Sequence, residues 1–279
     1  MCGRYANALS ARQLAESFTA RDETGGVQPN FNVAPTSVVP VVVVPPEQPD
    51  GGARLRMARW GLVPSWARDI AIGNRLINAR AETVATKPAF RAALRARRCL
   101  VPATGYYEWH RVDGARRGQP YLVRPGDDGP AALAGLYELW QPPSGGVCAT
   151  FTIITTTAAG GLEFLHPRSP VLLSRASWSR WLDPRLDDPV AVTAMLAPAP
   201  VGMLRAYPVT SRVGNVRNND PHLLDPIVAG EETDESPVSQ RRDRADGTDR
   251  SATRAPSTAR STSTARTMKT VRDDELPFA

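Results

Sequence analysis

The residue with the least ordinary chemistry in this chain is its second. The sequence begins Met1-Cys2-Gly3-Arg4-Tyr5. Loss of Met1 gives Cys2 a free α-amine beside its thiol. That 1,2-aminothiol condenses with an aldehyde and closes a five-membered thiazolidine ring. Internal cysteines cannot do this, because their nitrogen is an amide. Reference pKa values of about 8 for an α-amine and about 8.5 for a thiol leave both groups partly nucleophilic near neutrality. Cys2 alone fits better as a small residue that permits methionine trimming. Asn78, Glu108 and His166 are further side chains of the right type for polar or proton-transfer chemistry. Taken singly, such residues are more often structural or solvated than functional.

The elements that must hold these residues are mostly strands. Val38 to Val44 is rich in β-branched residues and reads as a buried strand. Leu55 to Trp60, Tyr121 to Val123, Ala132 to Trp140, Cys148 to Thr155 and Arg205 to Thr210 read as further strands, with Gly, Pro and Asp turns between them. In Gly105-Tyr106-Tyr107-Glu108-Trp109 the period-2 alternation puts Glu108 on one face with Tyr106 and His110. Pro167 and Pro170 hold His166 and Ser169 extended, so His166 and Arg168 project to the same side. Helices are few. Ser10 to Gln13 is a capping-box pattern with Leu14 and Phe18 on one face. Thr86 caps a second helix with Pro88 in its first turn, carrying Arg91, Arg95, Arg97 and Arg98 as a basic stretch. Ser174 caps a short helix with Trp178, Trp181 and Leu182 in the core, and Asp188-Pro189 starts another. Trp60 and Trp66 flank a Gly/Pro-punctuated loop, as packing anchors or as platforms for bases.

The chain has 279 residues and a formal charge of +6. Between 231 and 276 there are ten acidic and nine basic residues, a net −1, so the rest carries +7. That balance favours a polyanionic partner. Residues 231–276 hold almost no large apolar side chains and cannot bury enough surface to offset their ordering entropy. The expected organisation is a single domain over 1–228 and a disordered Ser/Thr/Arg/Asp-rich tail over 229–279. Three cysteines are too few for a disulfide framework and fit a reducing cytoplasm. No signal pattern or membrane-length apolar run is present.

Seven segments in order resemble the SRAP family, the SOS response-associated peptidases or abasic-site processing proteins. They are Met1 to Tyr5, Asn32 to Pro35, Arg59 to Trp66, Asn78 to Thr83, Gly105 to Trp109, His166 to Pro170 and Val213 to Asn218. The resemblance covers Met1 to about Pro226. It implies an α+β fold: a single domain with a curved, mostly antiparallel β-sheet resembling a barrel and peripheral helices. It implies a monomer without cofactor or metal that acts on single-stranded DNA containing abasic sites. An abasic site equilibrates with a ring-opened aldehyde, which the exposed Cys2 traps as a thiazolidine crosslink. By motif position, Asn78 orients Cys2, Glu108 is the general acid/base, and His166 assists sugar-ring opening and reversal. Arg80 and Arg168 resemble phosphate clamps, Arg4 a backbone contact, and Trp60 and Trp66 a wedge stacking on bases. The expected location is cytoplasmic, on the nucleoid of a prokaryote.

Two departures stand in the His166 segment. Pro167 and Ser169 occupy positions where the family usually has an acidic residue and a methionine, which makes a more open or more polar pocket wall. Gly160-Gly161 precedes it where a stiffer segment is common. Two rival functions fit the same residues: a peptidase with Cys2 as N-terminal nucleophile, acting on Met1 or on other peptides, and a non-catalytic single-strand binder using only the basic groove.

Overall fold

A computed structural model of the chain describes residues 2–111 and 118–228. The strands are β1 (Tyr5–Asn7), β2 (Arg21–Asp22), β3 (Asn30–Val33), β4 (Val38–Val43), β5 (Arg54–Trp60), β6 (Asn78–Arg80) and β7 (Arg98–Ala103). They continue with β8 (Gly105–His110), β9 (Gln119–Pro125), β10 (Ala131–Trp140), β11 (Cys148–Thr157), β12 (Arg168–Pro170) and β13 (Leu204–Pro208). Four short helices intervene: α1 (Ala11–Phe18), α2 (Arg91–Ala96), α3 (Trp178–Leu182) and α4 (Pro189–Thr193).

Strands β11, β10, β7, β4 and β5 follow one another antiparallel. β5 then returns to β11 through the parallel pairs Thr150↔Arg59 and Phe151↔Trp60, which closes a ring of five strands. The expected barrel-like curved sheet is therefore present. A second, wholly antiparallel sheet runs β13-β9-β8-β1-β3. Thr104 joins the two sheets, and its N–H donates to Ala6 O at 2.6 Å.

Closure divides the barrel side chains by alternation. Val39, Val41, Val43, Ala58, Trp60, Cys99, Val101, Leu133, Tyr137 and Phe151 share one buried cluster. Their neighbours Val42, Leu55, Leu100, Ala132, Ala134 and Leu136 belong to another, packed against the helices. The first set fills the barrel and the second carries the helical layer.

β11 continues past the closure, and this extension builds the site. Beyond β5, β6 takes up the same edge through Ile153↔Asn78 and Thr155↔Arg80. On the opposite edge β12 replaces β10 through Thr155↔Pro170 and Thr157↔Arg168. The segment bearing Asn78 and Arg80 and the one bearing His166 and Arg168 therefore meet β11 from opposite edges at Thr155.

The helices show where local signals held. α1 has its capping box, with Ser10 Oγ accepting from Gln13 N–H at 3.4 Å and Gln13 Oε1 accepting from Ser10 N–H at 3.0 Å. Asp188 caps α4. The helix expected from Thr86 begins only at Arg91. The stretch before it is a series of turns, closed by Thr86 N–H to Thr83 O and Phe90 N–H to Lys87 O. Nor is the basic stretch that follows a uniform solvated face. Arg97 pairs with Glu138 at 2.7 Å, and Arg98 is buried. The Arg98 guanidinium donates to Leu94 O and Arg95 O of α2 and to Trp181 O and Asp183 O at the end of α3. One cation thus satisfies the carbonyls that two helix ends leave open. The tail expected over 229–279 lies outside the described residues. Among the described residues no helix is long and apolar enough to cross a membrane.

Candidate active site

Cys2 has no solvent exposure and lies in the barrel-filling cluster with Tyr5, Trp60 and Tyr106. The chain start is fixed from two sides. β1 pairs with β8 through Tyr5↔Tyr106, and Tyr107 N–H donates to Arg4 O at 2.9 Å. Extending that antiparallel register sets Gly3 opposite Glu108, so the carboxyl stands beside Cys2. From the other side, Asn78 Nδ2 donates to Cys2 O at 2.8 Å. The register of β6 on β11 makes that reach possible.

Glu108 and Tyr106 share a face of β8, as the alternation indicates. With Leu162, Leu165, His166, Arg168 and Ser169 they line one narrow crevice. Tyr107 points the other way, into a cluster with Ala6, Val213 and Leu223. The structure thus brings Cys2, Asn78, Glu108 and His166 together from four separate segments.

The electrostatics follow from burial. Desolvation pushes the Glu108 carboxyl up to about 7. The Cys2 thiol is pushed up to about 12, first by burial and then by the Glu108 charge. Burial also lowers the pKa of His166. Its Nδ1 accepts from Arg168 N–H at 2.9 Å, which leaves the ring proton of the neutral imidazole on Nε2. Near neutrality the crevice holds a carboxyl poised to exchange a proton and a neutral imidazole whose Nε2–H can donate a hydrogen bond.

The arginines differ from one another. Arg80 is exposed, and its charge joins that of Arg168, the larger influence, in lowering the Glu82 pKa. Arg168 is engaged. Its Nη1 and Nη2 donate to Glu82 Oε1 at 3.1 Å and Oε2 at 2.9 Å, and Nη2 also donates to Thr155 O at 2.6 Å. Arg4 turns inward, and its Nη1 donates to Asn32 Oδ1 and to Val213 O, both at 2.8 Å. Asn32 Nδ2 in turn donates to Val213 O, Asn215 O and Asn218 O. Through these contacts Arg4 binds the 213–218 loop to the chain start.

The two tryptophans also part. Trp60 has no exposure, packs on Tyr5 and Phe151, and donates its Nε1–H to Ile77 O at 2.9 Å. It is a barrel core residue and offers no face to a base, which corrects the stacking role expected of it. Trp66 is 61% exposed. Its loop leaves β5 through Gly61, whose φ is +124° and where a Cβ would meet Gly73 O at 2.6 Å. A side chain at either glycine would push the Trp66 loop off the 70–75 turn.

Sequence reasoning did not single out Glu82, the buried Tyr106 face or Thr155. Glu82 had a signal, since it stands two residues after Arg80 in one segment. Thr155 had none before its pairing with both β6 and β12 was known.

Known proteins share this framework. The family model described as SOS response associated peptidase (SRAP) matches residues 1–216. The abasic site processing protein YoqW of Bacillus subtilis is 37% identical over 227 residues, covering 81% of this chain and 99% of its own. The abasic site processing protein HMCES of Gallus gallus is 30% identical over 269 residues, covering 82% of this chain and 79% of its own. A crystal structure of a Bacteroides thetaiotaomicron protein matches with a TM-score of 0.73 at 24% identity, covering 81% of this chain and all of that one. With its family model spanning the barrel, the second sheet and every segment of the crevice, this chain belongs to the SRAP family.

Proposed function

We propose that this protein senses abasic sites in single-stranded DNA and captures them covalently through Cys2 once Met1 is removed. The observation that carries the reading is the convergence of Asn78, Glu108 and His166 on the chain start. Relatives named for abasic site processing, with 37% and 30% identity, support the substrate.

The chemistry balances without redox. The abasic sugar opens as the C1′ hydroxyl proton passes through water to the ring oxygen, which accepts a hydrogen bond from His166 Nε2–H, and the C1′ aldehyde is freed. The Cys2 α-amine adds to C1′ to form a carbinolamine. Glu108, protonated, gives its proton to the departing hydroxyl, and water leaves with formation of the C=N bond. The Cys2 sulfur then adds to C1′ while its proton passes to the Glu108 carboxylate. The net reaction is aldehyde plus aminothiol giving thiazolidine plus one water. A carboxyl pushed up to about 7 suits both directions of proton transfer. A thiol pushed up to about 12 reacts only when a base takes its proton as the C–S bond forms, and Glu108 is that base.

Asn78 fixes the Cys2 carbonyl, and with it the direction of the amine and thiol. Arg80 contacts a flanking phosphate, and Trp66 stacks on a base beside the lesion. The same thiol and carboxyl would serve removal of Met1 as nucleophile and base, a peptidase-type step that the chain performs on itself. The protein acts as a monomer on DNA in the cytoplasm.

A variant with a non-removable residue between Met1 and Cys2 tests the mechanism. It keeps the fold and loses the heat-stable adduct with an abasic oligonucleotide. Full adduct formation by that variant would overturn the aminothiol mechanism.

A further inference from the structure

Arg168 is expected to clamp a phosphate, yet its donors are almost fully used inside the protein. Of five N–H groups, Nε donates to Thr155 Oγ1 at 3.3 Å, Nη2 to Thr155 O and Glu82 Oε2, and Nη1 to Glu82 Oε1. One Nη1–H remains. A bidentate clamp on phosphate needs two parallel donors. The Glu82 carboxylate occupies the same face of the guanidinium that a phosphate would take. Its side chain is 49% exposed, whereas the Arg168 side chain is 16% exposed, so the carboxylate is the outer and more easily displaced partner. Thr155 holds the guanidinium from the protein side and stays in place if Glu82 leaves.

We infer that Glu82 is a specificity-determining residue: its carboxylate stands in for a DNA phosphate on Arg168 and must be displaced before that arginine grips the strand. This rests on the single-strand reading given above. An intact strand carries a base that holds its backbone at the mouth of the narrow crevice lined by Glu108, His166 and Arg168, where its phosphate reaches Arg168 too weakly to displace a charged carboxylate. It binds with Glu82 still seated. A strand lacking the base comes closer, and its phosphate exchanges with Glu82. The ion pair thus works against the wrong ligand more than against the right one.

Glu82→Gln keeps the shape and removes the charge. Binding is measured against salt for an intact single strand and for one carrying a tetrahydrofuran abasic analogue, which has no aldehyde and cannot crosslink. With Glu82→Gln the intact strand gains about fivefold in affinity, equivalent to about 1 kcal/mol. Its salt slope steepens by about 0.7, the release expected for one added phosphate contact on single-stranded DNA. The analogue strand keeps its wild-type slope, so discrimination between the two strands shrinks. Arg168→Ala flattens the slope of the analogue strand alone, and in that background Glu82→Gln no longer steepens the slope of the intact strand.

Unchanged slopes on both strands in Glu82→Gln, with a lowered melting temperature, would make the pair a structural brace and overturn the inference. Crosslinking of wild type to an aldehydic abasic strand is run in parallel. Its absence would overturn the capture chemistry while the salt slopes still judge Glu82.

Discussion

Replacing Glu108 by Gln should stabilise the protein and disable it at once. The pKa of this buried carboxyl rises from 4.5 to about 7. The folded state therefore binds the proton more tightly than the unfolded chain. The stability from this group is fully present below pH 4.5 and is lost as the pH rises through about 7. Above that, the ionised carboxylate costs at most about 3 kcal/mol, from roughly 2.5 pKa units at 1.36 kcal/mol each. Gln resembles the protonated form and does not titrate. Glu108→Gln should match wild type near pH 4.5 and exceed it at pH 8. For a domain of this size that gap corresponds to roughly 6–12 °C in melting temperature. The crosslinking rate should fall by about 10²–10⁴ at every pH, the range for loss of a positioned acid/base. Calorimetry across pH 5 to 8, beside crosslinking time courses, checks both. A variant less stable than wild type at pH 8, or a melting difference that ignores pH, would refute the reasoning, and so would a wild-type crosslinking rate.

The remaining tests separate positions that look alike in sequence. Trp66→Ala should weaken single-strand binding by about 1–3 kcal/mol with no change in melting. Trp60→Ala should cost about 3–5 kcal/mol of stability by emptying the barrel core; anisotropy and thermal melts on both variants decide this. Arg98→Met should cost about 3 kcal/mol or more, because four carbonyls at the ends of α2 and α3 lose their donor. Urea unfolding reads that loss, and a near-neutral result would mean water replaces the guanidinium.

The site was legible in the sequence where local geometry determines it. The alternation in β8 placed Glu108 with Tyr106, and Pro167 and Pro170 placed His166 with Arg168 in one crevice. The capping box at Ser10 and the cap at Asp188 rest on contacts a few residues long. What was not legible depends on distant partners. Nothing local announces that Arg4 meets Asn32 and Val213. Trp60 and Trp66 are six residues apart in one loop motif. Only barrel closure at Phe151↔Trp60 decides that the first is core. The helix expected at Thr86 gave way to turns because closely spaced backbone bonds from Thr83 onward competed with it. The Glu82–Arg168 pair spans 86 residues, and it exists because β6 and β12 share Thr155.

The central claim is that Cys2 reacts through nitrogen and sulfur together, and the mass of the product tests it most directly. Wild type incubated with an abasic oligonucleotide should give one species. Its mass should equal the chain without Met1 plus the oligonucleotide less one water, and it should resist borohydride, because the ring has no C=N bond to reduce. A species that retains Met1, or one that gains hydride as an open Schiff base, would contradict the account.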